Sequence, residues 1–250
     1  MSDLASRLRL APIGVGCAYL TAGSPTRHEH RLIRAAFEAG ARHFDVAPQY
    51  GLGTAERVLG TALAPMRDEV TITTKVGILR PSVPDFKLAL RGLLGPLRKV
   101  IRGNSGGTAL QSLSGASRNL DYSAEQIRHS LDESLSHLGT DRVDLYLLHM
   151  PRRGDVTEEV VATLQDVRSA GKALAIGLAT ERGETAAILA DWPGVFDAVQ
   201  YSWSALDPPL EVATDGSAFR LTHRAIAGAF GPISGLFKQN PNLRQRMSAA

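Results

Sequence analysis

The chain has 250 residues, of which 44% are apolar and 21% charged, enough for one large buried core. Its net charge is +3, and the excess lies between Leu79 and Arg118, where seven basic residues accompany one acidic residue. Because the remainder is net negative, this pattern excludes a globally basic nucleic-acid binder. No apolar run reaches the roughly 18 residues that a membrane span requires.

The N-terminus and the cysteine content indicate a cytoplasmic protein. Residues 1–4 do not begin a basic segment followed by an apolar stretch, so no signal peptide is expected. Cys17 is the only cysteine, which excludes an intramolecular disulfide. We therefore expect one cytoplasmic domain over residues 1–250, without a membrane or nucleic-acid partner, that can form a homo-oligomer.

Strand-like and helix-like segments alternate along the first half of the chain. In order, we predict a strand over 11–16, a helix over 26–39, a strand over 42–45, a helix over 54–63 and a strand over 70–75. Residues 79–118 then interrupt the pattern with many Gly, Ser and Pro residues and one apolar, basic patch over 87–101. We interpret this segment as a basic loop insertion that forms a lid over the C-terminal ends of the strands.

Regular alternation resumes after the insertion. We predict helices over 123–138, 157–170 and 183–190, strands over 143–148, 172–178, 196–200 and 219–222, and a mostly helical tail from residue 225. Ser123 and Gln126 have the spacing of a capping box at the start of the first of these helices. Strands that alternate with helices in this way predict a parallel α/β sheet.

Two architectures fit seven predicted strands: a (β/α)8 TIM-type barrel that is incomplete at its C-terminus, and an open doubly wound sheet. A nucleotide-binding doubly wound sheet usually carries G-x-G-x-x-G after its first strand. Here Gly14 and Gly16 are followed by Tyr19 where the third glycine would stand. The sequence therefore favours the barrel.

Four polar residues follow three successive predicted strands: Asp45, Tyr50, Lys75 and His149. Each alone has an ordinary structural interpretation, such as a packed aromatic ring or a solvated strand end. In a (β/α) barrel, however, the C-terminal ends of the strands form the active site. Their joint occurrence there predicts a single catalytic pocket.

The chemistry that needs this set is carbonyl reduction. Hydride attack on a carbonyl produces an alkoxide, for which Tyr50 is the proton donor. We expect Lys75, paired with Asp45, to lower the pKa of the Tyr50 phenol, and a neutral His149 to donate a hydrogen bond to the substrate oxygen. The histidines have no metal-binding spacing, so no metal is predicted.

Several longer motifs surround these residues. They are G-A-R-H-F-D-V-A-P-Q-Y-G-L-G-T-A-E-R-V-L-G over 40–60, I-T-T-K-V-G over 72–77, the block from Ser130 to Pro151, G-K-A-L-A-I-G over 171–177 and V-Q-Y-S over 199–202. Together they resemble the aldo-keto reductase family over residues 11 to 205. The insertion and its closing Asp121-Tyr122-Ser123 resemble the bacterial branch that includes D-threo-aldose and pyridoxal dehydrogenases.

The resemblance implies a nicotinamide cofactor, NADP(H) rather than NAD(H), extended across the barrel mouth. It implies that Gln200 contacts the carboxamide and that Gly16 and Cys17 lie near the ring. The family's Ser-Asn pair after strand five is replaced by Ala179 and Thr180, of which Thr180 can still form hydrogen bonds. The family's eighth strand, together with the loop and helix that grip the adenosine 2′-phosphate, should follow the helical tail, and none is predicted there.

Three functions follow from this sequence. The first is an NAD(P)-dependent oxidoreductase that transfers a hydride between nicotinamide and an aldehyde or ketone, or a sugar hydroxyl or lactol. The alternative is a catalytically impaired barrel with a regulatory or interaction role, favoured by the missing eighth strand. A third, an unrelated barrel lyase or isomerase, needs a phosphate-binding glycine loop near strands seven and eight, for which Gly228 and Gly231 are poor candidates.

Overall fold

A computed structural model describes residues 13–18, 20, 27–81, 120–204, 206–208, 218–225 and 227–240. In this part of the chain, seven parallel strands form one sheet whose spatial order follows the sequence. They are β1 (Val15–Gly16), β2 (His43–Asp45), β3 (Thr71–Val76), β4 (Val143–His149), β5 (Ala173–Ala179), β6 (Ala198–Ser202) and β7 (Phe219–His223). This order is that of a (β/α) barrel and lacks the reversal that defines a doubly wound sheet. The predicted barrel with seven strands is confirmed.

Helices alternate with the strands. They are α1 (Arg27–Glu38), α2 (Ala55–Leu63), α3 (Ala124–Leu138), α4 (Glu158–Ser169), α5 (Arg182–Asp191) and α6 (Ala227–Gln239). At the start of α3, the Ser123 hydroxyl accepts a hydrogen bond from the Gln126 amide (3.3 Å), while the Ser123 amide donates to the Asp121 carboxylate (2.8 Å). In a reciprocal capping box, the Gln126 side chain would accept a hydrogen bond from the Ser123 backbone amide. Here the Asp121 carboxylate accepts that hydrogen bond instead.

The two faces of the sheet differ because successive side chains of a strand point to opposite sides. Phe44, Ile72 and Leu148 belong to the large apolar core that includes the helices. The inner face is apolar and small from β4 onward, where Leu145, Leu147, Ala175, Ala179 and Ala198 pack with Phe219 and Leu221. Under β2 and β3 the inner face is polar, with His43, Thr71, Thr73, Asp45 and Lys75 in alternating positions. The polar side chains of β2 and β3 therefore lie together on one side of the barrel interior.

The insertion leaves and rejoins the barrel at one point. Ile78 and Leu120 form an isolated antiparallel bridge, and the Asp121 amide donates to the Gly77 carbonyl (2.9 Å). Both ends of the segment therefore meet just beyond the C-terminal end of β3. The apolar, basic patch over 87–101 and residues 82–118 of the predicted lid lie outside the described residues.

Candidate active site

Lys75 is the most deeply buried charged group of the site. Its side chain is 1% exposed and forms an ion pair with Asp45, and its ammonium also donates to the Val46 carbonyl (3.1 Å). Burial alone would lower the pKa of Lys75, but Asp45 and Tyr50 raise it, and the net direction is upward. Lys75 therefore remains a buried ammonium whose charge Asp45 balances.

Tyr50 is presented by a tight turn that follows β2. Its amide donates to the Ala47 carbonyl (3.0 Å), and the next three residues all have positive φ, 57° at Gly51, 59° at Leu52 and 91° at Gly53. A Cβ at Gly51 would overlap the Leu20 carbonyl, so only glycine fits there. The turn places the Tyr50 ring centroid 5.2 Å from the Lys75 ammonium.

The pKa of the Tyr50 phenol is shifted in the direction opposite to the one expected. Burial raises the pKa of the Tyr50 phenol, the Lys75 ammonium lowers it, and the net direction is upward. The sign of the Lys75 effect is as predicted, yet desolvation is larger in this structure because the phenol is largely enclosed. Tyr50 is therefore a neutral phenol that has a proton to donate.

His149 ends β4 beside Tyr50. The two rings meet edge to face, with centroids 6.2 Å apart and an interplanar angle of 84°. Met150 follows with a φ of 62°, and its amide donates to the Ala179 carbonyl (2.7 Å), which turns the chain away just past the imidazole. The structure thus brings the four predicted residues Asp45, Tyr50, Lys75 and His149 into one cluster at the strand ends.

The four residues predicted to contact a cofactor lie on both sides of this cluster. On β1, Gly16 pairs with Asp45, and the Cys17 amide donates to the Asp45 carbonyl (2.8 Å). Burial raises the pKa of the Cys17 thiol, so it remains a protonated, packed side chain. At the other side, the Thr180 amide donates to the carbonyl of Gln200, which is 7% exposed.

Three further residues belong to the site that the sequence did not assign. Gln49 hydrogen-bonds to the His149 ring (3.0 Å), and Tyr122 donates its hydroxyl proton to the His149 carbonyl (2.8 Å). His223 ends β7 on the same face as Phe219 and Leu221 but remains exposed; its partial burial lowers its pKa, with Asp45 and Lys75 as charged neighbours. Gln49 and Tyr122 stand inside the quoted motifs, and strand periodicity would have found His223.

The described residues form neither a metal centre nor a membrane span. In the described ranges, no cluster of three or more His, Cys, Asp or Glu side chains is arranged to hold a metal ion. Within the same ranges, no helix has the length and apolarity needed to cross a bilayer.

The fold and the site define a (β/α) barrel with a buried lysine–aspartate pair set against a tyrosine and a histidine at its strand ends. The family model described as the Aldo/keto reductase family matches residues 12–214. The chain belongs to this family, and the resemblance seen in its motifs is confirmed.

Individual relatives agree with this assignment. The chain is 35% identical to a D-threo-aldose 1-dehydrogenase from Pseudomonas sp over 152 residues, 59% of this chain and 42% of that protein. It is 30% identical to an NADH-specific methylglyoxal reductase from Escherichia coli K12 over 183 residues, 72% of this chain and 49% of that protein. The chain thus spans about half the length of the curated relatives it matches.

Solved structures share the fold. A glycerol dehydrogenase from Gluconobacter oxydans matches 88% of this chain and 61% of its own, with a TM-score of 0.65 and 22% identity. An aldo-keto reductase from Klebsiella pneumoniae in complex with NADPH matches 78% of this chain and 55% of its own, with a TM-score of 0.53 and 21% identity. Similarity at this level of identity supports the barrel and leaves the substrate open.

Proposed function

We propose that this site belongs to an NAD(P)H-dependent oxidoreductase that interconverts a carbonyl group and an alcohol, with an aldehyde, ketone or sugar as substrate. The observation that carries the proposal is the buried Lys75–Asp45 ion pair, which lies beside the Tyr50 phenol. An ion pair this deeply buried is costly to maintain for stability alone. Relatives named as sugar and methylglyoxal oxidoreductases support the same reaction class.

The residues at the mouth fit a nicotinamide ring. A Cβ at Gly16 would meet no atom within 4 Å, so glycine leaves space beside Asp45 that a larger side chain would fill. Gln200 lies on the opposite side of the cluster, where it pairs with Ala179. Its side-chain amide has both a hydrogen-bond donor and an acceptor. When bound, NAD(P)H supplies the hydride. Gly16, Cys17, Thr180 and Gln200 would hold the ring.

The side chains of the cluster divide the proton chemistry. As hydride adds to the carbonyl carbon, the C=O π electrons move to oxygen, and that oxygen takes the proton of the Tyr50 hydroxyl. The resulting tyrosinate is stabilised by the Lys75 ammonium, whose charge Asp45 keeps in place. His149 donates a hydrogen bond to the same oxygen and orients it toward Tyr50. Oxidation of an alcohol runs through these steps in reverse.

The test is removal of the Tyr50 hydroxyl. We expect Tyr50→Phe to reduce kcat with methylglyoxal and aldose substrates by about 10²–10⁴-fold, since general acid catalysis is worth that much, with cofactor affinity retained. The control is Tyr146→Phe, whose hydroxyl donates to the Ile127 carbonyl (2.8 Å) on the outer face. It should lower stability and leave kcat unchanged.

The outcome for Tyr50→Phe separates the alternatives. Unchanged turnover would exclude Tyr50 as the acid. A wild-type protein that binds nicotinamide and reduces none of these carbonyls would instead support a non-catalytic barrel.

NADP(H) is the cofactor we propose, as in the Klebsiella pneumoniae complex, and a lower Kd for NADH than for NADPH would overturn that preference. A cytoplasmic location also stays a prediction, to be tested by cell fractionation.

A further inference from the structure

Gln49 connects two strand ends that are distant in the sequence. It lies between Pro48 and Tyr50 in the turn after β2, and its side chain reaches the end of β4, where Nε2 is 3.0 Å from Nδ1 of His149. An amide nitrogen has protons to donate and no lone pair to offer, so Nδ1 of His149 is the acceptor. In a neutral imidazole, the other nitrogen then carries the proton.

We propose that Gln49 is a positioning residue that holds His149 in the tautomer with its proton on Nε2. This inference rests on the proposed reduction, because a proton on Nε2 lets His149 donate a hydrogen bond to a substrate oxygen while Nδ1 is held by the amide. The opposite tautomer would present a lone pair to that oxygen and repel it. Gln49 therefore decides whether His149 attracts the carbonyl.

The surroundings of His149 explain why a side chain is needed for this task. The Tyr122 hydroxyl donates a hydrogen bond to the backbone carbonyl of His149 (2.8 Å). The Tyr50 ring packs edge to face against the His149 ring. Neither of these two contacts distinguishes one ring nitrogen from the other. The hydrogen bond from Gln49 does distinguish them, and it also fixes the rotation of the ring about Cβ–Cγ.

The amide of Gln49 offers a second sign that its orientation matters. Its Oε1 is buried and has no hydrogen-bond partner among the described residues. Turning the amide over would place Oε1 on the His149 ring, demand a proton on Nδ1, and reverse the tautomer. The two orientations therefore predict opposite protonation patterns, which can be measured directly.

The experiment uses the full chain labelled with ¹⁵N-histidine, with the His149 signals assigned by their loss in His149→Asn. At pH 8 we expect Nε2 of His149 to show an N–H coupling and Nδ1 to show the shift of an unprotonated nitrogen. Gln49→Glu, whose carboxylate can only accept, should move the proton to Nδ1. Gln49→Leu, which has neither donor nor acceptor, should give a mixture of the two tautomers.

Kinetics supply the second readout. We expect Gln49→Glu to lower kcat/KM for carbonyl reduction by about 10- to 100-fold, the range for loss of one transition-state hydrogen bond, and Gln49→Leu to lose less. Cofactor affinity should be unchanged in both variants. Gln165→Glu, an identical change at an exposed position of α4, is the control for added charge and for folding, and should match the wild type.

Two results would overturn the proposal: a proton on Nδ1 of His149 in the wild type, or wild-type kcat/KM in Gln49→Glu once the NMR spectra show that its tautomer has switched. Failure of the reductase function is distinguishable from both. In that case no variant turns over carbonyls, while the tautomer of His149 still responds to Gln49.

Discussion

At the scale of single residues, His43 shows how the polar half of the barrel interior is maintained. It lies two positions before Asp45 on β2 and faces the same side, and its Nδ1 is 2.9 Å from the Thr71 hydroxyl. Burial lowers the pKa of His43 to about 4, with Lys75 adding to the effect and Asp45 opposing it. His43 is therefore neutral in the folded protein under conditions where it would be half protonated in the unfolded chain.

This difference predicts a loss of stability in acid. The folded pKa of about 4 lies below the unfolded value of 6.5, so the contribution of His43 is fully present above pH 6.5 and is lost as the pH falls toward 4. Integrated over that window it is worth about 3 kcal/mol. We expect the free energy of unfolding of His43→Asn, measured in urea at pH 7.5 and 4.5, to depend less on pH than that of the wild type.

The control for His43→Asn is His129→Asn, because the His129 side chain is 64% exposed. Its pH profile should follow the wild type. If both variants lose stability in acid as steeply as the wild type, His43 is not the group that titrates.

The sequence located the four members of the cluster because each stands at the end of a recognisable strand or, for Tyr50, in the turn that follows one. It did not reveal the partners of those residues. Gln49 and His149 are 100 positions apart, and no periodicity relates a side chain in one turn to a ring in another. The net pKa direction of Tyr50 also escaped prediction, since burial of the phenol depends on the packed structure around it.

At the scale of elements, the turn after β3 links the sheet to the site. Gly77 has a φ of 123°, and a Cβ at this position would overlap the ring of Tyr122. The same ring carries the hydroxyl that donates to the His149 carbonyl. Glycine at 77 therefore permits both the backbone conformation and the seating of Tyr122 against β4.

We predict that Gly77→Ala destabilises the fold by about 1–3 kcal/mol, the usual cost of a side chain in such a backbone region, and that it also lowers kcat, since Tyr122 must move. Thermal unfolding and steady-state kinetics measure the two effects. The control is Gly183→Ala in α5, where a Cβ meets no atom within 4 Å and helix propensity should raise stability by up to about 1 kcal/mol. Equal stability of the two variants would contradict the prediction.

Element positions were predictable to within a few residues, and the errors have physical causes. The strand predicted over 196–200 is found at Ala198–Ser202, so Gln200 lies in the middle of the strand and not at its end. Of the strand predicted over 11–16, Val15–Gly16 are extended and residues 11–12 lie outside the described residues. Glycine at both 14 and 16 gives that segment little side-chain alternation by which to fix its ends.

At the scale of the whole molecule, the strands differ in how well they are protected. Every residue of β3 is buried, and six of the seven residues of β4 are, whereas no residue of β7 is buried. In the described part of the sheet, β1 and β7 are the outer strands. An outer strand has one row of backbone groups that lacks a neighbouring strand.

We therefore predict an ordered pattern of amide hydrogen exchange, with β3, β4 and β5 the slowest and β7 the fastest of the longer strands, because protection follows burial and pairing. Exchange monitored by mass spectrometry with peptide resolution is the measurement. Light scattering at several concentrations is the companion control. Slow exchange in β7 at high concentration alone would show that a second copy covers this edge, the homo-oligomer anticipated from the sequence.

The architecture was predictable for two reasons. Strict alternation of strands and helices predicts a parallel sheet, and the absence of the Rossmann glycine motif favours a barrel, in which the strands follow the order of the sequence. The substrate was not, because residues 79–118 have a composition of Gly, Ser, Pro and basic residues that specifies no side-chain arrangement. Membership of the family narrows the reaction, and substrate choice depends on loops whose sequences carry no periodic signal.

The bridge between Ile78 and Leu120 has a consequence for how such a barrel changes over time. Since the insertion enters and leaves through one paired position, its length alters the loop-closure entropy only slowly and leaves the spacing between Lys75 and His149 untouched. The segment is thus a module that can be lengthened, shortened or exchanged between relatives while the proton-transfer machinery stays constant.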